Sequence, residues 1–160
     1  MCASFLNNGD LFPAISVNAV TVGTVSIPEY LGGQYGVVLL YRGAWCPYCN
    51  AQLSAFARAH ETLAGLGVRV VAISADDEPT AAATVEKYGI RFLVGHSADV
   101  DRIAAANGAY VNDDPKHFHT TGFVLDPTGR VITAVYSSGA IGRLLPDDVA
   151  GFVRYVESHA

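Results

Sequence analysis

Runs and stripes of apolar residues lay this chain out as alternating strands and helices. Val37-Val38-Leu39-Leu40-Tyr41 is unbroken apolar, the pattern of a strand covered on both faces. Beyond Trp45-Cys46-Pro47-Tyr48-Cys49, Leu53, Phe56, His60, Leu63 and Leu66 recur three and four apart and predict a helix over 47–64, ended by Gly65 or Gly67. Val68 to Ser74 is a second buried strand, so strand, helix and strand form a βαβ unit with parallel strands. Asp76, Asp77 and Glu78 precede Pro79 where acids favour a helix start, and that helix stops at Gly89. Phe92–Val94 predicts a short strand, Ala98–Asn107 a short helix ended by Gly108, and the polar stretch Tyr110–Lys116 a loop. Gly122–Leu125 and Val131–Tyr136 flank Asp126-Pro127-Thr128-Gly129, whose Asp, Pro and Gly spell a type I turn and hence an antiparallel hairpin. Pro146 opens a last helix with Val149, Phe152, Val153 and Val156 on one stripe. Ahead of all this, Ile15–Val17 and Val20–Val25 are short β-favouring pieces. The expected architecture is α/β: a central mixed sheet, helices on both faces in three layers, and an N-terminal β extension.

Composition narrows the picture. At 160 residues, 51% hydrophobic and 16% charged, the chain has the length for one domain over 1–160 and a balance opposed to disorder. A net charge of -5 and the absence of any basic run argue against nucleic acid as a partner. Glycines break the longest uncharged stretch before it could cross a membrane, and Met1–Asp10 has neither the basic start nor the apolar block of a targeting peptide. A soluble chain in the cytoplasm is the expectation. Three cysteines, Cys2, Cys46 and Cys49, are too few for a disulfide-stapled scaffold, which turns attention to their chemistry.

Cys46 and Cys49 are three apart, so both sulfurs project from one side of a first helical turn. Unpaired amides and the dipole at a helix N-terminus favour a thiolate, and Cys46, at the very end, is the expected reactive sulfur. Arg42 adds a cation upstream, and no acid lies between Glu29 and Glu61 to oppose an anion. Trp45 and Tyr48 can flank the sulfur, and Pro47 suits a first-turn position. Half of a zinc site is the competing structural reading, but a second ligand pair is missing, so no metal and no cofactor are expected. A second competing reading takes both cysteines as small buried apolar residues.

A strand, then Trp45-Cys46-Pro47-Tyr48-Cys49, then a helix, within this βαβ and ββα order, resembles the thioredoxin fold. Tyr41-Arg42-Gly43-Ala44-Trp45-Cys46-Pro47-Tyr48-Cys49 and Gly122-Phe123-Val124-Leu125-Asp126-Pro127-Thr128-Gly129-Arg130, with the N-terminal extension and an insert over 77–117, are similar to peroxiredoxin-like proteins of the alkyl hydroperoxide reductase C/thiol-specific antioxidant family. The resemblance implies a peroxidatic Cys46 followed by Pro47, with Cys49 resolving its sulfenic acid and an external thiol, thioredoxin-like or small, reducing the disulfide. It also implies a peroxide substrate, and by family habit a homodimer. The chain departs from the family signature at Leu39 and Gly43, where the family has Pro and Thr, and at His119-Thr120-Thr121, where a distal Arg is usual. Arg42 is the candidate replacement, with Arg143 a second one. Thr120 or Thr121 stands where thioredoxins carry a cis-proline facing the cysteines, which argues against a general disulfide reductase.

The remaining polar residues have bland readings. His117 and His119 fall on one side of an extended segment without a third ligand, and His60 reads as a hydrogen-bonded core residue. Asp76, Asp77 and Glu78 read as helix caps, Asp113 and Asp114 as a solvated loop, and Cys2 as an exposed bystander or a partner in an intermolecular disulfide. Three functions remain open: a thiol peroxidase, a thioredoxin-like disulfide oxidoreductase, and a redox-sensing domain without catalysis.

Overall fold

A computed structural model describes residues 4–160; Cys2 lies outside them. Among the described residues, nine strands and five α-helices, with a 3-10 turn at Glu29–Leu31 before the third strand, follow in the order β1 Ile15–Ala19, β2 Gly23–Ile27, β3 Tyr35–Leu40, α1 Pro47–Arg58, α2 His60–Gly65, β4 Val68–Ile73, α3 Glu78–Tyr88, β5 Leu93–His96, α4 Val100–Asn107, β6 Val111–Asp113, β7 Lys116–Phe118, β8 Thr121–Leu125, β9 Val131–Tyr136 and α5 Pro146–Ser158. Seven strands form one sheet in the order β2-β1-β5-β4-β3-β8-β9.

The expected βαβ unit is present. β3 and β4 run parallel from Tyr35 opposite Val68 to Leu40 opposite Ile73, and β5 continues the parallel set. β8 pairs antiparallel with β3, β9 with β8, and the hairpin β1–β2 extends the sheet beyond β5. The sheet is therefore mixed, with the N-terminal β extension at one edge.

Because side chains alternate along β3, its apolar run serves two cores at once. Val37 and Leu39 join Leu53 and Phe56 of α1, Leu63 of α2 and Val149 and Val153 of α5 on one face. Val38 and Leu40 join Phe123, Ile103 of α4, Phe118 and Phe12 on the other. The sheet is buried on both sides, which fixes the end of β3 and with it the loop that carries the cysteines.

Four local expectations change. The helix over 47–64 is two helices, α1 and α2, separated at Ala59, whose φ of -89° and ψ of 4° leave the helical region; nothing in the sequence around Ala59 marks this break. His60 accordingly opens α2 half-buried beside Tyr30, Arg69 and Phe92 instead of sitting in the core. The loop Tyr110–Lys116 contains most of a two-stranded hairpin, β6–β7, in which Val111 pairs with Phe118. The short strand over 92–94 lies one residue later and runs to His96, where pairing with Asn18 of the N-terminal extension prolongs it.

Candidate active site

The chain leaves β3 at Leu40, and six residues later Cys46 is the N-cap of α1 in extended conformation, φ -92° and ψ 114°. Its sulfur takes the place of a capping oxygen: the Cys49 amide donates to Cys46 Sγ at 3.4 Å. Pro47 occupies the first turn, where an N–H would have no partner. The loop is tied at Ala44 from two sides, since Ala44 N donates to Asp76 Oδ2 at 3.0 Å and Asn50 Nδ2 donates to Ala44 O at 2.8 Å. Asp76 is thus a brace for the cysteine loop, while Asp77 caps α3 through the Thr80 amide and Glu78 pairs with His96. The reading of all three acids as helix caps holds for Asp77 and is corrected for Asp76, because an amide from another segment competes for its carboxylate. Burial holds that carboxyl above the usual range, against the Ala44 and Ser74 hydrogen bonds.

Both sulfurs are buried, Cys46 at 1% and Cys49 at 0% exposure, and both thiols are free. Two guanidinium groups approach them. Arg42 Nη1 lies 3.9 Å from Cys46 Sγ, and the Arg42 amide donates to Cys49 Sγ at 3.4 Å. Arg143 Nη2 lies 3.3 Å from Cys49 Sγ and 4.0 Å from Cys46 Sγ. Burial opposes ionisation of Cys46, but hydrogen bonds from the Cys49 thiol and amide and from Arg42, with the charge of Arg143, outweigh it and hold this thiol below its ordinary value. Burial and the neighbouring Cys46 push Cys49 the other way, above its ordinary value. The geometry therefore favours the anion on Cys46 and the thiol on Cys49.

Arg143 comes from the loop between β9 and α5 and is fixed by three acceptor oxygens, one of them Ala140 O of its own loop, which takes its Nε at 3.1 Å. Its Nη1 donates to Gln52 Oε1 at 2.8 Å and its Nη2 to Thr120 Oγ1 at 2.9 Å. Gln52, 4% exposed, also donates to Leu144 O at 2.9 Å. Sequence reasoning missed Gln52; the signal was an amide three residues after Cys49 on the inward face of α1. Thr120 reaches the site through Arg143, whereas the Thr121 hydroxyl donates to His119 O at 3.1 Å. Trp45 and Tyr48 are each 55% exposed. The Trp45 ring lies under the Arg42 guanidinium, 4.8 Å from ring centre to Cζ, and edge-on to His117 at 5.0 Å. Gly43, at φ +154°, is required there: a Cβ would sit 2.3 Å from Trp45 Nε1. Among the described residues, no cluster of three or more His, Cys, Asp or Glu could hold a metal ion.

The chain matches the AhpC/TSA family over residues 8–134. It belongs to that family. A peroxiredoxin of Treponema denticola is 26% identical over 145 residues, covering 88% of this chain and 69% of that protein. The thiol-disulfide oxidoreductase ResA of Bacillus anthracis is 25% identical over 123 residues, covering 76% of this chain and 63% of that one. The chain spans between 52% and 72% of the length of the curated relatives it matches. Among solved structures, the peroxidoxin BcpB of Mycobacterium tuberculosis superposes with a TM-score of 0.81 at 19% identity over 94% of this chain and 98% of that one, a likeness of fold. The AhpC/TSA fold thus accounts for the strand, helix and sheet order.

Proposed function

We infer that this AhpC/TSA chain is an oxidoreductase, a thiol-dependent peroxidase that reduces hydrogen peroxide or organic hydroperoxides through Cys46. The supporting observation is a single sulfur at a helix N-cap, receiving an amide N–H and flanked by two guanidinium groups. In the reaction the Cys46 thiolate attacks the hydroxyl oxygen of the hydroperoxide. An S–O bond forms, the O–O bond breaks, and the leaving alkoxide or hydroxide takes a proton from water, giving sulfenic acid. The guanidinium N–H groups face the developing oxyanion, so positioning and charge carry the step. Cys49 then displaces hydroxide, which leaves as water, and the Cys46–Cys49 disulfide is reduced by a thioredoxin-like protein or a small thiol. No cofactor enters this cycle. The reading treats 1–160 as one redox domain working in the cytoplasm. It also allows a homodimer, with β9 at the open edge of the sheet as a surface for a second copy.

Rapid mixing of the reduced chain with hydrogen peroxide tests the proposal. Oxidation of Cys46 should far outrun that of free cysteine and vanish in Cys46→Ser; a rate equal to free cysteine would overturn it. The ResA likeness favours a second reading, a protein-disulfide oxidoreductase. Efficient reduction of a protein disulfide with negligible peroxide turnover would select that reading instead.

A further inference from the structure

Seven buried side-chain polar atoms lack a hydrogen-bond partner among the described residues, and four of them sit together. They are Arg42 Nε, both ring nitrogens of His117 and Nδ1 of His119. His117 is only 6% exposed, on the hairpin β6–β7, and packs edge-on against Trp45 at 5.0 Å and against His119 at 5.7 Å between ring centres. Trp45 in turn stacks on Arg42, whose Nη1 is 3.9 Å from Cys46 Sγ. Orphaned buried polar atoms, donor or acceptor, are costly, and at native sites they need a reason.

Charge points to the same place. Neither Arg42 nor Arg143 forms an ion pair with a carboxylate among the described residues. One thiolate balances one guanidinium, which leaves one positive charge unbalanced beside the sulfur. Arg143 is already fixed by Gln52 and Thr120, so the free donors belong to the Arg42 side. A planar carboxylate, with two acceptor oxygens and one charge, matches a guanidinium edge and imidazole N–H groups.

We propose that Arg42, His117 and His119, walled by Trp45, form a subsite beside Cys46 that binds a carboxylate carried by the small molecule reacting there. That molecule is a carboxylate-bearing hydroperoxide or a carboxylate-bearing thiol reductant. The proposal rests on the peroxidase reading and adds a substrate class to it.

The test compares matched pairs. In the oxidative arm, reduced protein is mixed with 2-hydroperoxy-2-methylpropanoate or with its methyl ester, in single turnover, with the lone tryptophan, Trp45, as the fluorescent reporter. In the reductive arm, the Cys46–Cys49 disulfide is treated with 3-mercaptopropionate or with its methyl ester, and rates are expressed per thiolate. An acid-over-ester preference of about tenfold is expected in at least one arm, the worth of one charge-assisted hydrogen bond. The arm that shows it identifies which reactant carries the carboxylate. Arg42→Gln and His119→Gln should collapse the preference toward one. Equal rates for acid and ester in both arms, with the ester peroxide still turned over rapidly, would overturn the subsite and leave the peroxidase standing. No rapid turnover of either peroxide, nor of hydrogen peroxide, would remove the peroxidase reading and this inference with it. The comparison of acid with ester is made on the native chain, so it does not depend on any variant folding.

Discussion

Replacing Arg143 by Met keeps much of the side chain's bulk and removes one of the two cations at the cysteine pair. Two unit charges at the 4.0 Å separating Arg143 Nη2 from Cys46 Sγ attract by about 4 kcal/mol at an effective dielectric of about 20. Arg143 is half-buried and Arg42 remains, so water and the second cation take up much of that. A loss of about 1.5–2 kcal/mol is the expected remainder, which makes the Cys46 thiol less acidic by about one pH unit or slightly more.

Alkylation by iodoacetamide, followed on the Cys46 peptide by mass spectrometry, reads this change in acidity. Well below both midpoints a thiol weaker by about one pH unit has a thiolate fraction about tenfold lower, while its more basic sulfur is about threefold more nucleophilic, so Arg143→Met should be alkylated about threefold more slowly. Well above both midpoints both proteins are ionised, and the variant should react about threefold faster than the native chain. This crossing of the two profiles is the diagnostic, because mere loosening of the loop would speed alkylation at every pH. Parallel profiles with an unmoved midpoint would refute the claim that Arg143 stabilises the anion.

Cys49→Ser should leave the sulfenic acid of Cys46 without a resolving thiol, so dimedone should label Cys46 after one equivalent of peroxide in the variant and scarcely at all in the native chain. Gly43→Ala places a Cβ 2.3 Å from Trp45 Nε1 at φ +154°, and chemical denaturation should show a loss of about 1–3 kcal/mol together with a change in tryptophan emission. Asp76→Ala orphans the Ala44 amide and should cost about 1–3 kcal/mol by the same assay, while Asp76→Asn, which keeps an acceptor, should cost less. The folded Cys46 thiol lies below its ordinary value of 9.0, so its contribution to stability is full above that pH and is lost as pH falls through the folded value. The difference in urea midpoint between the reduced native chain and Cys46→Ser should therefore shrink on acidification, and a difference that grew instead would reverse the sign assigned to this group.

The proposed nucleophile is legible in the sequence because everything that points to it is local. An apolar run, two cysteines three apart and a proline at the first turn lie within 37–49, and the 2.0 and 3.6 residue periods need no knowledge of distant segments. The groups that stabilise the anion are much less so. Arg143 is separated from Cys46 by 97 positions and from Cys49 by 94, in a loop with no periodic pattern, so sequence ranks it below Arg42 although it is the closer guanidinium to Cys49. Asp76 reads from its neighbours as a cap because the Ala44 amide it serves lies 32 positions away. One local mark does point to the distant contact: Gly122 stands in the buried strand β8 ahead of the large apolar Phe123-Val124-Leu125, and a glycine inside a strand signals close approach of another backbone or side chain. A Cβ there would stand 2.7 Å from Leu144 Cδ1, so the missing side chain is what lets the segment carrying Arg143 lie down on the sheet. The position of the second cation is thus encoded in a residue that touches neither sulfur, and Gly122→Ala should disturb Cys46 acidity by displacing Leu144 and, with it, its neighbour Arg143.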